Sequence, residues 1–176
     1  MTRSEISRNV SDREKGARDT PCGSSSTRPV EADATIESTA QETGKVALQS
    51  INPHDLPVPQ TYSQVVVATG SKLVFISGQE PEDLQGNLVG RGDLAAQAHQ
   101  VFSNLGRALA AAGAVPAQVA RITIYVVNYD RDECLPIIEK ARVGLFGDHK
   151  PADVVVGVAS LSPDYLIEVD AYAVID

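Results

Sequence analysis

Hydrophobic residues along the chain switch between two periods, and the switches mark out secondary structure. Gln64-Val-Val-Val-Ala68 and Leu73-Val-Phe-Ile-Ser77 are short β-branched and aromatic runs separated by Thr69-Gly-Ser-Lys72, which predicts a β-hairpin. After a turn-rich stretch from Glu80 to Gly92, Leu94, Ala98, Val101, Phe102, Leu105 and Leu109 recur at three and four. That spacing predicts an amphipathic helix with Asp93 as its N-cap and Gly113 as its stop. From Val119 to Val127 the period drops to two, with Ala120, Ile122, Ile124 and Val126 facing one way and Arg121, Thr123 and Tyr125 the other. A second helix is predicted from about Asp132 to Phe146. Strands follow at Asp153 to Ala159 and Leu166 to Ile175, divided by Ser162-Pro-Asp-Tyr165 read as a tight turn. Two helices and five or six strands, polar on one side, predict an α+β sandwich of two layers.

The first fifty residues carry no such pattern. All eight aromatic residues lie beyond residue 60, and the stretch before them is rich in Ser, Thr, Arg, Glu and Asp. Such a segment buries too little apolar surface to offset chain entropy, so residues 1–50 are expected to be a disordered N-terminal extension and 51–176 the folded domain. It has no apolar core of secretory-signal length, and Glu5, Asp12, Glu14 and Asp19 make it too acidic for a typical transit peptide.

Composition narrows the function classes. With 15 Lys and Arg against 23 Asp and Glu, the net charge is −8, and no basic patch is segregated along the chain. Nucleic acid is therefore not an expected partner. No run approaches the ~18 apolar residues of a membrane span. Cys22 and Cys134 are too few for a disulfide framework, and with three scattered histidines they match no metal-ligand spacing. A reducing, cytoplasmic setting without a metal site is the expectation. His54, His99, His149 and Cys134 read as structural or solvated, His99 lying one position off the apolar stripe of its helix.

Candidate chemistry lies in the last strand. Gly-rich phosphate loops, paired helical histidines and a Gly-x-Ser-x-Gly elbow are all absent. In Leu166-Ile-Glu-Val-Asp-Ala-Tyr172 the period of two places Glu168, Asp170 and Tyr172 on one face, opposite Ile167, Val169, Ala171 and Ala173. That acidic face is either a solvated strand surface or the seat of a general acid/base carboxylate.

Five segments in order resemble the RidA/YjgF family. They are Gln60-Thr-Tyr-Ser-Gln64, Leu73-Val-Phe-Ile-Ser-Gly-Gln79 with Pro81, Ala95-Ala-Gln97, Lys150-Pro-Ala152 and Ile167-Glu-Val-Asp-Ala171. The resemblance spans nearly everything from about Pro59 onward. It implies a chorismate-mutase-like fold with helices on one face of a mixed sheet of about six strands. It also implies a homotrimer whose sheets form an inner barrel, with ligand clefts at the subunit interfaces. Deaminating members hydrolyse imines and enamines such as 2-aminoacrylate without a cofactor. Carried over by position, Tyr62 matches a cleft tyrosine, Ser77 and Gly78 the cleft-lining segment, and Glu168 the carboxylate that positions water. Where those members carry a carboxylate-gripping arginine after Pro151-Ala152, this chain has Asp153. A reversed charge there is expected to repel a substrate carboxylate. Glu139 stands where a cleft asparagine is usual, and Val154 and Val155 follow Asp153, which implies a more acidic and more apolar cleft.

The resemblance thus implies a small-molecule enzyme in which Glu168, Asp153 and Tyr62 are catalytic, while Ser77, Gly78, Glu139, Val154 and Val155 bind substrate. The substrate is expected to be an imine, enamine or related polarised intermediate of specialised metabolism other than 2-aminoacrylate. A non-catalytic ligand-binding or chaperone-like member is the alternative, and the acidic charge disfavours the nuclease activity of some relatives. For single residues a plainer role stays open: Tyr62 as an interface ring, Ser77 and Gly78 as a strand end, Asp153 as a partner of Lys150. With a tight hairpin at Ser162 to Tyr165, Asp153 would fall opposite Val174. About 20 Å would then separate it from Glu168, so that a joint site would need a neighbouring subunit.

Overall fold

The computed structural model describes residues 45–176. Six strands and two α-helices follow in the order β1 (Ala47–Ile51), β2 (Val65–Thr69), β3 (Lys72–Gln79), α1 (Leu94–Ala111), β4 (Val119–Val127), α2 (Arg131–Phe146), β5 (Ala152–Val158) and β6 (Ile167–Ile175), with a short 3-10 turn at Pro116–Gln118. The fold is α+β, as the alternation of periods requires. Strand β1 begins at Ala47, so the domain boundary expected at residue 50 falls inside a strand, and a cut there would remove most of it. The remainder of the expected extension, with Cys22, lies outside the described residues.

Helix α1 forms where its apolar spacing predicts. The Asp93 side chain accepts from the N–H groups of Ala95 and Ala96, and Gly113 takes the left-handed backbone (φ 73°) that ends the helix. Helix α2 is capped in the same way, by Asp130. Their apolar stripes pack on one face of a four-stranded sheet ordered β3-β6-β4-β5. Val101, Leu105 and Leu109 of α1, Ile138 of α2, Ile122 and Val126 of β4 and Ile167 and Val169 of β6 are almost wholly buried there.

Strand pairing departs from the expected hairpins twice. Strands β2 and β3 do not pair: β2 joins β1 in a separate two-stranded ribbon, and β3 runs antiparallel to β6. A two-residue hairpin of type I′ or II′ needs positive φ at its first central residue, and Gly70 is not among the residues that adopt it. Nor do β5 and β6 form a hairpin. Strand β5 lies parallel to β4, reached through the α2 crossover, and β6 is inserted between β3 and β4. The fully buried Gln97 explains the detour. Its Nε2 donates to the carbonyls of Gly90 and Asp164 (3.1 and 3.0 Å), and its Oε1 accepts from Leu166 N–H at 2.7 Å. The connection is thereby tied to the start of α1, while Val127 N–H donates to the Leu166 carbonyl and starts β6 along β4.

Candidate functional site

The antiparallel register decides which side chains share the open face of the sheet. Tyr125 of β4 stands opposite Glu168 of β6, and Val156 of β5 lies beyond it. One level on, Thr123 lies between Asp170 and Val154. Leu73, Phe75 and Tyr172 continue the same face, Phe75 meeting the Tyr172 ring edge-on at 5.4 Å between centroids. On the β3 side the ladder is interrupted between Ile76 and Gln79, which displaces Ser77 and Gly78 from the pairing. The Glu168 carboxylate occupies the space this opens. A side chain at Gly78 would collide with it, so glycine is the residue that this approach permits.

Carboxylates crowd this end of the sheet. Burial pushes the Glu168 carboxyl above its ordinary range, and the negative charges of Glu80 and Asp170 push it further. The Tyr125 hydroxyl donates to Asp170 at 3.0 Å, which raises the phenol, and the other oxygen of Asp170 is buried without a partner among the described residues. The Tyr165 hydroxyl donates to Glu82 and is pushed up to about 12, chiefly by that bond. A cavity of about 450 Å³ opens beside the cluster, bordered by Gly78, Glu80, Glu82 and Asn104. A proton acceptor of raised affinity, held over a glycine bulge beside open space, is suited to general acid/base work on a neutral or cationic ligand.

A second cluster ties the segment around Tyr62 to α2 and β5. Thr61 Oγ1 donates to Glu139 at 3.0 Å, and Ser63 donates to the carbonyls of Lys150 and Pro151. Half-buried Tyr62 is held between them. Asp153 pairs with Arg142 of α2 at 2.7 Å, with side chains 9% and 3% exposed. Burial pushes the Asp153 carboxyl up and the Arg142 guanidinium down, each against its partner's attraction, and Glu139 adds to the rise of Asp153.

These positions correct several expectations. Asp153 lies opposite Ile122, on the side of the sheet that the helices cover, and its partner is Arg142 rather than Lys150. Its charge is matched there and does not face a ligand on the open side. The distance to Glu168 was expected from a hairpin that does not form. The two residues are instead two strands and three register steps apart, about 14 Å between backbones, and project from opposite faces. Val154 is on the open face, whereas Val155 points into the core with Ile124 and Val169, so the two cannot line one cleft. Gly78 does meet Glu168, and Glu139 is near enough to Asp153 to bear on its charge. Sequence reasoning missed Arg142, although it is the one charged member of the buried i, i+4 stripe Cys134, Ile138, Arg142 and Phe146. Tyr125, Tyr165 and Glu80 carried no signal before the pairing of strands was known.

Comparison with known proteins gives one consistent result. The family described as endoribonuclease L-PSP matches residues 53–175. A RutC family protein of Pyrococcus horikoshii is 34% identical over 64% of this chain and 85% of its own. A protein of Dermatophagoides farinae named 2-iminobutanoate/2-iminopropanoate deaminase is 29% identical over 65% of this chain and 86% of its own. Among solved structures, a Rid family protein of unknown function from Yersinia pestis is 34% identical, covers 72% of this chain and 98% of its own, and superposes with a TM-score of 0.67. RidA from a Psychrobacter species is 28% identical over 72% of this chain and 99% of its own, with a TM-score of 0.54.

Two outcomes are expected of variants. Arg142→Met strands the buried Asp153 charge and should lower stability by about 3–5 kcal/mol in denaturant unfolding. The double variant Arg142→Met with Asp153→Leu should return close to the native value. Because the native pKa of Glu168 is raised, its contribution to stability is complete below the ordinary glutamate range and is lost as pH rises through the native value. Glu168→Gln should therefore melt like the native protein near about pH 3 and above it at pH 7. An equal melting temperature at both pH values would contradict the raised proton affinity.

Proposed function

Because the chain belongs to the endoribonuclease L-PSP family, that of the RidA/YjgF and RutC proteins, we propose that it is a cofactor-independent small-molecule enzyme acting on an imine, enamine or similarly polarised carbon. The observation that carries this reading is the Glu168 carboxylate, raised in proton affinity and seated over the Gly78 bulge. In the reaction Glu168 takes a proton from water as its oxygen adds to the C=N carbon. It then returns that proton to the nitrogen, and the carbinolamine collapses to a carbonyl and an amine. Tyr62, Ser77, Gly78 and Glu139 orient the substrate, and Val154 supplies an apolar wall. Asp153 is moved from catalysis to positioning, since its pairing with Arg142 and the bonds of Glu139 hold the segment that carries Tyr62.

The charges that bear on Glu168 are those of Glu80 and Asp170, both negative. A substrate carrying its own carboxylate beside the reacting carbon is therefore disfavoured, which argues against 2-aminoacrylate for a different reason from the one first attached to Asp153. The site is completed by assembly in this reading. Leu73 and Phe75 are 55% and 68% exposed on the open face, with Tyr172 beside Phe75 and Val154 on the far edge strand of the same face. Three such faces packed together bury an apolar surface that a lone chain leaves in water, and bring Glu168 of one copy to the Tyr62 segment of the next. A cytoplasmic setting belongs to the same proposal. Among the described residues no helix is long and apolar enough to cross a membrane, and a yeast relative 28% identical is named mitochondrial.

Ammonia release from an uncharged aliphatic imine should exceed that from freshly generated 2-aminoacrylate by about tenfold or more, and Glu168→Gln should lower it by about 10²–10⁴-fold. The acid limb of the native rate profile should lie above the ordinary glutamate range. Robust 2-aminoacrylate turnover would refute the substrate assignment, and ligand binding without turnover of either compound would favour the non-catalytic alternative. In sedimentation velocity the native chain should run as a trimer and Phe75→Glu as a monomer. A monomeric native protein would end the proposal of a shared site.

A further inference from the structure

A groove of about 660 Å³ lies between α1 and α2, on the opposite layer of the molecule from Glu168, and is open to solvent along His99, Pro136, Lys140 and Gly144. Phe102 and Leu145 are among its apolar walls, and its polar residues are His99, Ser103 and Lys140. No carboxylate lines it, although acidic residues outnumber basic ones by 23 to 15 in the whole chain. Lys140 makes no ion pair among the described residues. The volume is that of a small-molecule pocket, and an apolar lining with a few converging polar groups is the usual composition of one.

Two residues that a helix interior disfavours lie on the α2 wall of this groove. Pro136 lies inside α2, where it has no N–H to offer the Asp132 carbonyl. Gly144 also lies inside α2, at about 1 kcal/mol relative to alanine, and a Cβ built on it meets nothing within 4 Å. Pro136 and Gly144 both border the groove, and a side chain at Gly144 would project into open space beside it.

We propose that this cavity is a binding site for a small aromatic monocarboxylate, distinct from the Glu168 site. The aromatic body lies against the half-buried Ile137, Ala141 and Leu145 over the buried Phe102, the carboxylate pairs with Lys140, and Ser103 and His99 supply further hydrogen bonds. A phosphate or polyanion would call for more than one fixed cation, and a cationic ligand would meet Lys140 with no carboxylate to offset it.

The test is calorimetric titration of the full chain with 1-naphthylacetate and with its neutral counterpart, 1-naphthylacetamide. The carboxylate should bind about tenfold more tightly than the amide, and Lys140→Gln should remove that difference. Gly144→Phe should abolish binding of both without lowering the melting temperature, because the added ring enters empty space. Glu168→Gln should bind like the native protein. Equal affinity for acid and amide, or no binding at millimolar concentration, would overturn the proposal. So would loss of binding in Glu168→Gln. A lower melting temperature for Gly144→Phe would show the cavity to be filled by another part of the chain or by a second copy, and would overturn it as well.

Discussion

The rest of the molecule depends on the backbone of β6 being paired on both edges. Every N–H and C=O of a buried strand needs a partner, and β6 finds them only by entering between β3 and β4. That insertion makes β3 and β4 parallel to each other and forces the chain between them to cross over, which α1 does. Helix α2 performs the same service between β4 and β5. Both helices cover one face, so the other face of the sheet is left open, with β6 near its middle. Glu168 is central because its strand is.

The buried polar side chains Ser63, Gln97 and Arg142 are each tied to the backbone or to a partner. Gln97 is without exposed surface, yet its side chain makes three hydrogen bonds that anchor the start of β6 to the start of α1. Arg142 and Asp153 are a costlier arrangement. Burial works against the charged form of each, so the pair adds little net stability while making the loss of either partner severe. What it contributes is geometry: with Ser63 and Thr61 it binds the irregular segment before β2 to α2 and to the start of β5. A half-buried tyrosine in that segment is thereby held without belonging to any helix or strand.

The two layers carry different chemistry. On the open face, carboxylates are brought close enough to raise one another's proton affinity, and tyrosine hydroxyls partly offset the crowding by donating to Asp170 and Glu82. On the helical layer the lining of the inter-helix cavity has no acidic group and one lysine. A chain of net charge −8 has thus kept its acidic groups out of one apolar recess while concentrating them beside the Gly78 bulge.

Local pattern alone determined the elements from β2 onward, whereas β1 fell inside the stretch that carries no such pattern. The three-and-four spacing around Leu105, the capping Asp93, the alternation through Ile122 and the opposed faces of Glu168 and Val169 depend on side chains a few positions apart, and they hold whatever the rest of the chain does. The position and acidity of Glu168 were legible in the same way, and so, in retrospect, was the charge of Arg142 inside an apolar stripe. Pairing was not. The runs on either side of Gly70 and of Ser162 to Tyr165 are compatible with hairpins by spacing, but backbone hydrogen bonds are interchangeable between strands, and partners far along the chain took them. Only that long-range choice decided that Asp153 turns to the helices and Arg142, that Val154 and Val155 part to opposite faces, and that Gly78 makes room for the carboxylate of Glu168.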